Sequence, residues 1–486
     1  MPLLPRKVVR KETQPLHSEN IMIGRLRREV LLFPRQFWLL VGGTFLYLLG
    51  YELGYPFETV YLHARLGVSM TSVGLIIGLP ILAGLPVQIA GGAIADRFGR
   101  RGLLILGICA GIVLFEGLAL AGKLWQVVTV IAIEAAFGWA MFSTANNSML
   151  ADLTPLVRRA EAYGISRVAV TAGMAVGPLV GGLLLGAGLD YRVLFASGGM
   201  VCALFLLLVL LRFEESKPAA VAEAGDRLTT LAGYRVVLRD RRFLAFCGIA
   251  LLPLYGFGQI YVTLPVLLRN SVGISLTDWG LLAALYAGSA VLLQYPVVRR
   301  TKRYDKLGLL SIASACIGAG LAGAAFAPKG IGTAACVLLT SVGTMLFVPI
   351  APAFVSEMAP TALRGRYMGA WTFVWMGGTA LGPTFGGLAM DRLSGRGAYL
   401  VILAAGLFGA LLFALLRSLR TGPSETADAV TARRSHQWRA RSRRSRAQGE
   451  GGRWLSQRRR NRPDRHEGQA RPTRRRRAPG GRGPTS

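Results

Sequence analysis

The sequence predicts an all-α membrane protein of twelve transmembrane helices in two pseudo-symmetric six-helix bundles. Three observations carry that prediction. The 486 residues are 52% hydrophobic and only 17% charged, with a mean hydropathy of +0.44, whereas soluble domains carry about a quarter charged residues. The apolar residues fall in long stretches, and roughly 20 in a row span a bilayer. The chain also repeats itself. An offset of 205 residues maps Asp152 to Glu357, Pro155 to Pro360, Arg159 to Arg364 and Gly164 to Gly369. The same offset maps Gly173, Gly177, Pro178, Gly181 and Gly182 onto Gly378, Gly382, Pro383, Gly386 and Gly387.

The spans are expected at 36–62, 71–93, 102–122, 125–149, 163–187, 191–212, 243–267, 277–297, 307–327, 331–356, 367–390 and 397–417. An even count puts both ends on one side, and the Lys/Arg bias says which. Eight cations, Arg6, Lys7, Arg10, Lys11, Arg25, Arg27, Arg28 and Arg35, precede the first span. The 213–242 and 298–306 loops are also basic, while the opposite loops hold single cations such as Arg65, Lys123, Arg269 and Lys329. Both termini are therefore expected in the cytoplasm and the protein in the plasma (inner) membrane. No cleavable signal peptide is visible, so a retained first helix is expected to direct insertion.

The domains follow: a basic segment at 1–35, a bundle at 36–212, a linker at 213–242, a second bundle at 243–417 and a tail at 418–486. The linker reads as flexible, with a short surface helix near 226–239. The net charge of +31 suggests nucleic acid until its distribution is seen, for 19 Arg and three acids lie in 431–486. That tail has almost no aliphatic residues to offset the entropy of ordering it. It reads as disordered; the sharper alternative is contact with anionic lipid, and nucleic acid is not expected as a partner. The five cysteines all lie in apolar stretches without metal or disulfide spacing.

Between the second and third spans stands Gly91-Gly-Ala-Ile-Ala-Asp-Arg-Phe-Gly-Arg-Arg101. Charges are costly in hydrocarbon, so this knot marks where the chain leaves the bilayer and re-enters it. Its Gly92, Asp96, Arg97, Gly99, Arg100 and Arg101 resemble the loop-2/3 signature of the major facilitator superfamily of transporters. The resemblance covers about 36–417. It implies the twelve-helix fold, a substrate site between the two halves, and a loop that latches the halves in one facing state. Read from the residues alone, the arginines could merely enforce topology.

The fifth span carries Gly173-Met-Ala-Val-Gly-Pro-Leu-Val-Gly-Gly182. Glycine at every fourth position clears a helix face for close packing, and Pro178 removes a backbone donor. The pattern resembles the superfamily's fifth-helix antiporter motif; ordinary small-residue packing is the alternative, since span 11 repeats it.

Four acids lie inside spans: Glu52, Glu58, Glu116 and Glu134. A central charge costs roughly 2.5–3.5 kcal/mol on insertion scales, so each is a functional hypothesis. Burial raises a carboxyl pKa and a nearby cation lowers it, which lets such a group exchange a proton for a substrate. Glu134 and Glu52 are the expected coupling residues. Glu52 shares a helical face with Tyr55 and Thr59. Glu58 is expected at a wet outer mouth and Glu116 in a structural role. The sequence departs from the family at two places. Many proton-coupled members carry Arg-x-x-x-Gly in the fourth helix, where this chain has Glu134-Ala-Ala-Phe-Gly138, and the second-half copy of the loop motif keeps its charge but loses its glycines.

Further cavity candidates are Tyr55, Gln88, Asn146, Tyr255, Gln259, Trp371 and Trp375, polar or aromatic groups that suit amphipathic ligands. Gly318-Ala-Gly-Leu-Ala-Gly323 mimics a dinucleotide fingerprint but lies within an apolar span, and Gly117–Lys123 lacks the Ser/Thr of a phosphate loop. Catalytic residues, metal and cofactor are not expected. The leading expectation is a proton-coupled exporter of small amphipathic or cationic compounds that works by alternating access. An uptake carrier for a sugar or metabolite is the alternative. A cationic anchor inside the spans is not expected, which disfavours anionic substrates. A non-transporting scaffold using the basic tail is the reading from another class.

Overall fold

A computed structural model describes residues 32–215, 235–301, 303–360 and 363–421; side chains at 85, 87–98, 160, 420 and 421 lie outside that description. The basic N-terminal segment, most of the linker and the Arg-rich tail also lie outside the described residues. Among the described residues the fold is all-helical, and a helix satisfies its own backbone N–H and C=O groups, as hydrocarbon requires. Helices stand at each of the twelve expected positions. They are α1 (Arg35–Val60), α2 (Met70–Phe98), α3 (Arg100–Leu120), α4a (Leu124–Phe137) with α4b (Trp139–Leu153), α5 (Arg159–Gly186) and α6 (Tyr191–Arg212). The second set is α7a (Arg241–Phe257) with α7b (Leu264–Leu267), α8 (Leu276–Thr301), α9 (Lys306–Phe326), α10 (Ile331–Met358), α11 (Arg364–Leu393) and α12 (Gly395–Thr421). Among the described residues, nine are long and apolar enough to cross a membrane. The remaining three positions are α2, whose counted apolar part is Met70–Gly84, the interrupted α7, and α11.

Short polar residues start the helices where the chain returns to the bilayer. The Ser69 side chain accepts from Ser72 N at 3.2 Å, Asp190 from Arg192 N at 2.9 Å, and Asp305 from Gly308 N at 2.8 Å. Each satisfies a donor that the first turn leaves orphaned. Gly99 turns between α2 and α3 at φ 81°, a conformation that favours glycine.

Two helices are interrupted. The fourth breaks at Gly138, with φ −76° and ψ −100°, and the seventh unwinds between Phe257 and Leu264. α1 and α7b both run into a single π-helical turn, Tyr61–Arg65 and Leu268–Val272.

In the first half α1 lies against α5 and α6, and α3 against α4 and α6; in the second, α9 packs on α10 and α7a on α11. The halves meet along α2 with α11 and α5 with α8. Glycines make both seams. A Cβ at Gly182 would lie 2.9 Å from Gly280 Cα, and one at Gly387 would overlap the Met70 carbonyl. The outward faces carry exposed Leu204, Leu207 and Leu211 on α6 and Leu400, Phe408 and Leu411 on α12. Apolar surface of this extent suits lipid, not water.

Candidate transport cavity between the halves

A cavity of about 580 Å³ lies between the two halves. The first half lines it with residues of α1 to α5, and the second with residues of α7, α8, α10 and α11. Its charged groups all come from the first half: Glu52, Glu58, Glu134 and Arg167.

Glu52 stands on α1 where Gly177 of α5 lets the two helices touch; a Cβ at Gly177 would lie 2.7 Å from that of Glu52. The Glu52 side chain is 5% exposed, and its Oε2 has no hydrogen-bond partner among the described residues. Glu58 lies one and a half turns further along α1 and is also buried in the cavity wall. The sequence-based expectation of a wet outer mouth for Glu58 is thus corrected, because the residue is 3% exposed. Glu134 ends α4a. Its Oε1 accepts from Trp139 N at 3.2 Å, and the Tyr51 hydroxyl interacts with the same carboxylate. The break at Gly138 frees that Trp139 N–H, so the helix interruption and the carboxylate position are one feature.

The second half supplies aromatic rings and hydroxyls. Tyr261 sits in the unwound stretch of the seventh helix, with its ring 6.0 Å from those of both Tyr55 and Tyr286. Tyr51 continues this aromatic row, 5.4 Å from Tyr55. The Tyr261 hydroxyl is buried and, among the described residues, has no partner. Aromatic rings beside a buried carboxylate can hold an organic cation.

One end of the cavity is closed by hydrogen bonds between the halves. Trp279 Nε1 donates to the Pro56 carbonyl at 3.0 Å, and Thr277 Oγ1 to the Gly182 carbonyl at 3.1 Å. Asp391, at the end of α11, caps the start of α2. It accepts from Met70 N at 3.2 Å, Thr71 N at 2.7 Å and Thr71 Oγ1 at 2.6 Å. These bonds gather where α1, α5 and α11 end and where α2 and α8 begin.

The other expected site residues are placed as follows. Tyr55 and Trp375 line the cavity. Asn146, Tyr255, Gln259 and Trp371 are not in its lining. Asn146 accepts from Thr44 Oγ1 at 3.0 Å and ties α4b to α1. Gln259 is fully buried, donates to the Gly382 carbonyl at 2.5 Å and accepts from Thr263 Oγ1 at 2.8 Å. Trp371 packs among Phe246, Phe347 and Trp375, and Tyr255 packs at the edge of the same core. Glu116 packs against Gly199 of α6, away from the cavity. The side chains of Gln88, Gly92, Asp96 and Arg97 lie outside the described residues.

The rest of the loop motif is visible within one half. Arg100 pairs with Asp152 at 2.9 Å, and Arg101 donates to the Leu210 carbonyl at 3.0 Å. Glu215 accepts from the backbone N–H of Arg100 at 2.9 Å and of Arg101 at 3.1 Å. In the fifth helix Gly173, Gly177 and Gly181 face Leu48, Glu52 and Leu53 of α1, and Pro178 and Gly182 face Gly280 of α8. Arg167 corrects one expectation outright, for it lies inside the fifth predicted span and reaches the cavity. Tyr261 was missed for another reason. Only Gly256 and Gly258, flanking Phe257, hint that the seventh helix unwinds there.

A family model described as "Major Facilitator Superfamily" matches residues 40–269 and 254–462. An "Uncharacterized MFS-type transporter YqjV" of Bacillus subtilis is 25% identical over 375 residues, covering 76% of this chain and 90% of that relative. A "Multidrug resistance protein MdtH" of Aeromonas hydrophila is 28% identical over 344 residues, covering 68% and 82%. Among solved structures, the nucleoside transporter NupG superposes with a TM-score of 0.67 at 15% identity, over 79% of this chain and 99% of that one. A D-xylose–proton symporter does so at 0.58 and 18% identity, over 78% and 96%; both likenesses concern the fold alone. The chain belongs to the major facilitator superfamily and is a membrane transporter, not an enzyme.

Proposed function

We propose that the protein is a proton-coupled exporter of small amphipathic or cationic compounds, with Glu52 and Glu134 exchanging a proton for the substrate. The observation that carries this reading is the Glu52 carboxylate, buried at the cavity wall with an oxygen that no described group satisfies. A carboxylate so placed is stable only while it holds a proton or a cation. Binding a cationic substrate then releases a proton, and reprotonation releases the substrate. The aromatic row of Tyr51, Tyr55 and Tyr261 offers the ring faces such a substrate needs. A relative named for multidrug resistance supports the export reading.

In the orientation expected from the Lys/Arg bias, with both termini cytoplasmic, the end closed by Asp391, Trp279 and Thr277 faces outward. The cavity then opens to the cytoplasm, where an exporter loads. Alternating access follows from two bundles rocking across the α2–α11 and α5–α8 seams. We assign the Asp96 and Arg97 loop the opposite task of latching the cytoplasmic ends when the outer end opens.

Proteoliposomes with an acidic lumen test the proposal. A lipophilic fluorescent cation should accumulate inside, and collapsing the gradient with nigericin should abolish accumulation. Glu134→Gln and Glu52→Gln should each reduce gradient-driven uptake by about tenfold or more. Accumulation indifferent to the gradient and to both substitutions contradicts it.

A further inference from the structure

Arg167 is a cationic side chain in the cavity lining that the exchange scheme leaves unused. It stands on α5 with Val170, Thr171 and Met174, the i+3, i+4 and i+7 positions of one helix face, and all four line the cavity. Among the described residues no carboxylate lies within 4 Å of its guanidinium, so Glu52, Glu58 and Glu134 do not neutralise it. Two hydroxyls of the facing wall, those of Tyr286 and Thr344, already have partners. Tyr286 donates to Thr344 at 3.1 Å, and Thr344 donates to the Ser341 carbonyl at 2.9 Å. A guanidinium stays charged at any pH the cell offers.

Its position is fixed by the α1–α5 seam. Gly173 packs on Leu48 and Gly177 on Glu52, so the helices run in parallel and in register. Arg167 is ten residues from Gly177 along α5, which at the helical rise sets it about 15 Å from the level of Glu52. The closing hydrogen bonds lie beyond Glu52 in the other direction. The cavity therefore has a permanent cation toward one end and carboxylates toward the other.

We propose that Arg167 anchors an anionic group of the substrate, so that the cavity selects elongated zwitterions with a carboxylate at one end and an ammonium or iminium at the other. The guanidinium meets a carboxylate through two parallel hydrogen bonds. The cationic end reaches the aromatic row and the acids, where it displaces the proton. This rests on the cavity being the transport site, as proposed above, and narrows its ligand from cations in general to zwitterions. It reverses the bias against anionic groups drawn from the sequence.

Two dyes that differ in one group provide the test: a rhodamine with a free carboxylate and the ethyl ester of that rhodamine, each titrated by fluorescence polarisation onto the purified full-length protein. The wild type should bind the free acid about tenfold more tightly than the ester, in the range expected for hydrogen bonds to a charged group. Arg167→Gln should remove that preference and leave ester affinity unchanged, while Arg167→Lys should keep part of it. Equal affinity of the wild type for both dyes, or an equal loss for both in Arg167→Gln, overturns the anchor. Glu52→Gln separates the two readings. If it weakens both dyes while Arg167→Gln alters neither, the cavity stands and the anchor falls. If neither variant alters either dye, or the wild type binds neither, the cavity reading fails and takes the anchor with it.

Discussion

The two halves of the molecule share a skeleton and divide the chemistry. Each has α5 or its counterpart α11 crossing the other half through a glycine: Gly182 on α8 in one case, Gly387 on α2 in the other. Each pairs the start of its third helix with the end of its fourth, Arg100 with Asp152 and Lys306 with Glu357. The positions proposed for coupling and anchoring differ at the same offset. Glu52 corresponds to Phe257, Glu134 to Leu339 and Arg167 to Thr372. The first half thus holds the charges of the cavity lining, while both halves supply its aromatic rings. Packing seams tolerate little change, because a methyl group there meets backbone. A cavity wall is free to specialise on one side, since a substrate touches both.

The largest effect expected from breaking this symmetry is at the seams. Gly177→Val should abolish transport and sharply lower folded yield in fluorescence-detection size exclusion, because its Cβ would lie 2.8 Å from the Glu52 backbone. Gly164→Ala, with open space around its Cβ, should leave both unchanged or gain up to about 1 kcal/mol from helix propensity. Equal behaviour of the two would mean that the seam does not limit packing.

Next come the charges. Glu52→Gln and Glu134→Gln should cut proton-driven transport by about tenfold or more while preserving the fold. Leu339→Met, at the counterpart of Glu134, should change it by less than about twofold, as volume-conserving swaps do. A coupled flux that survives in both glutamine variants would place coupling elsewhere.

A smaller effect belongs to the closing contact. Asp391→Ala removes three hydrogen bonds at the α2 N-terminus, each worth about 1–3 kcal/mol to a charged acceptor. Spin-label distances across the ends of α2 and α11 should shift toward the separated state, and an unchanged distribution would remove Asp391 from the gate. Smallest is the contrast between the repeated ion pairs. Arg100 and Asp152 are 13% and 14% exposed, against 35% and 61% for Lys306 and Glu357. Arg100→Met should lower the melting temperature by several degrees and Lys306→Met by about one or less, since exposed pairs contribute little.

Most of the twelve helical positions were legible because they are long apolar stretches, and the repeat because its glycines and prolines cannot drift without closing a seam. Which way a helix faces was less legible. Asn146 and Gln259 are polar residues in spans, as cavity residues would be, yet their partners Thr44 and Gly382 lie on neighbouring helices and turn them into packing. Rotation is set by those neighbours, not by the residue's own polarity. Glu58 is buried, and the nearby Pro56 carbonyl accepts from Trp279 of the other half, a contact between residues 223 apart in sequence. Asp391 gave no local signal either, since its role depends on where α2 begins in space. Arg167 stood in view inside the fifth span and needed only to be counted.

The account rests on a carboxylate that surrenders a proton when the substrate arrives. Calorimetric titration of a cationic ligand into the purified transporter, in buffers of different ionisation enthalpy, counts the protons released per ligand bound. About one proton should leave the wild type, and about none should leave the Glu52→Gln, Glu134→Gln double variant. Ligand binding to the wild type with no proton released would contradict the exchange mechanism directly.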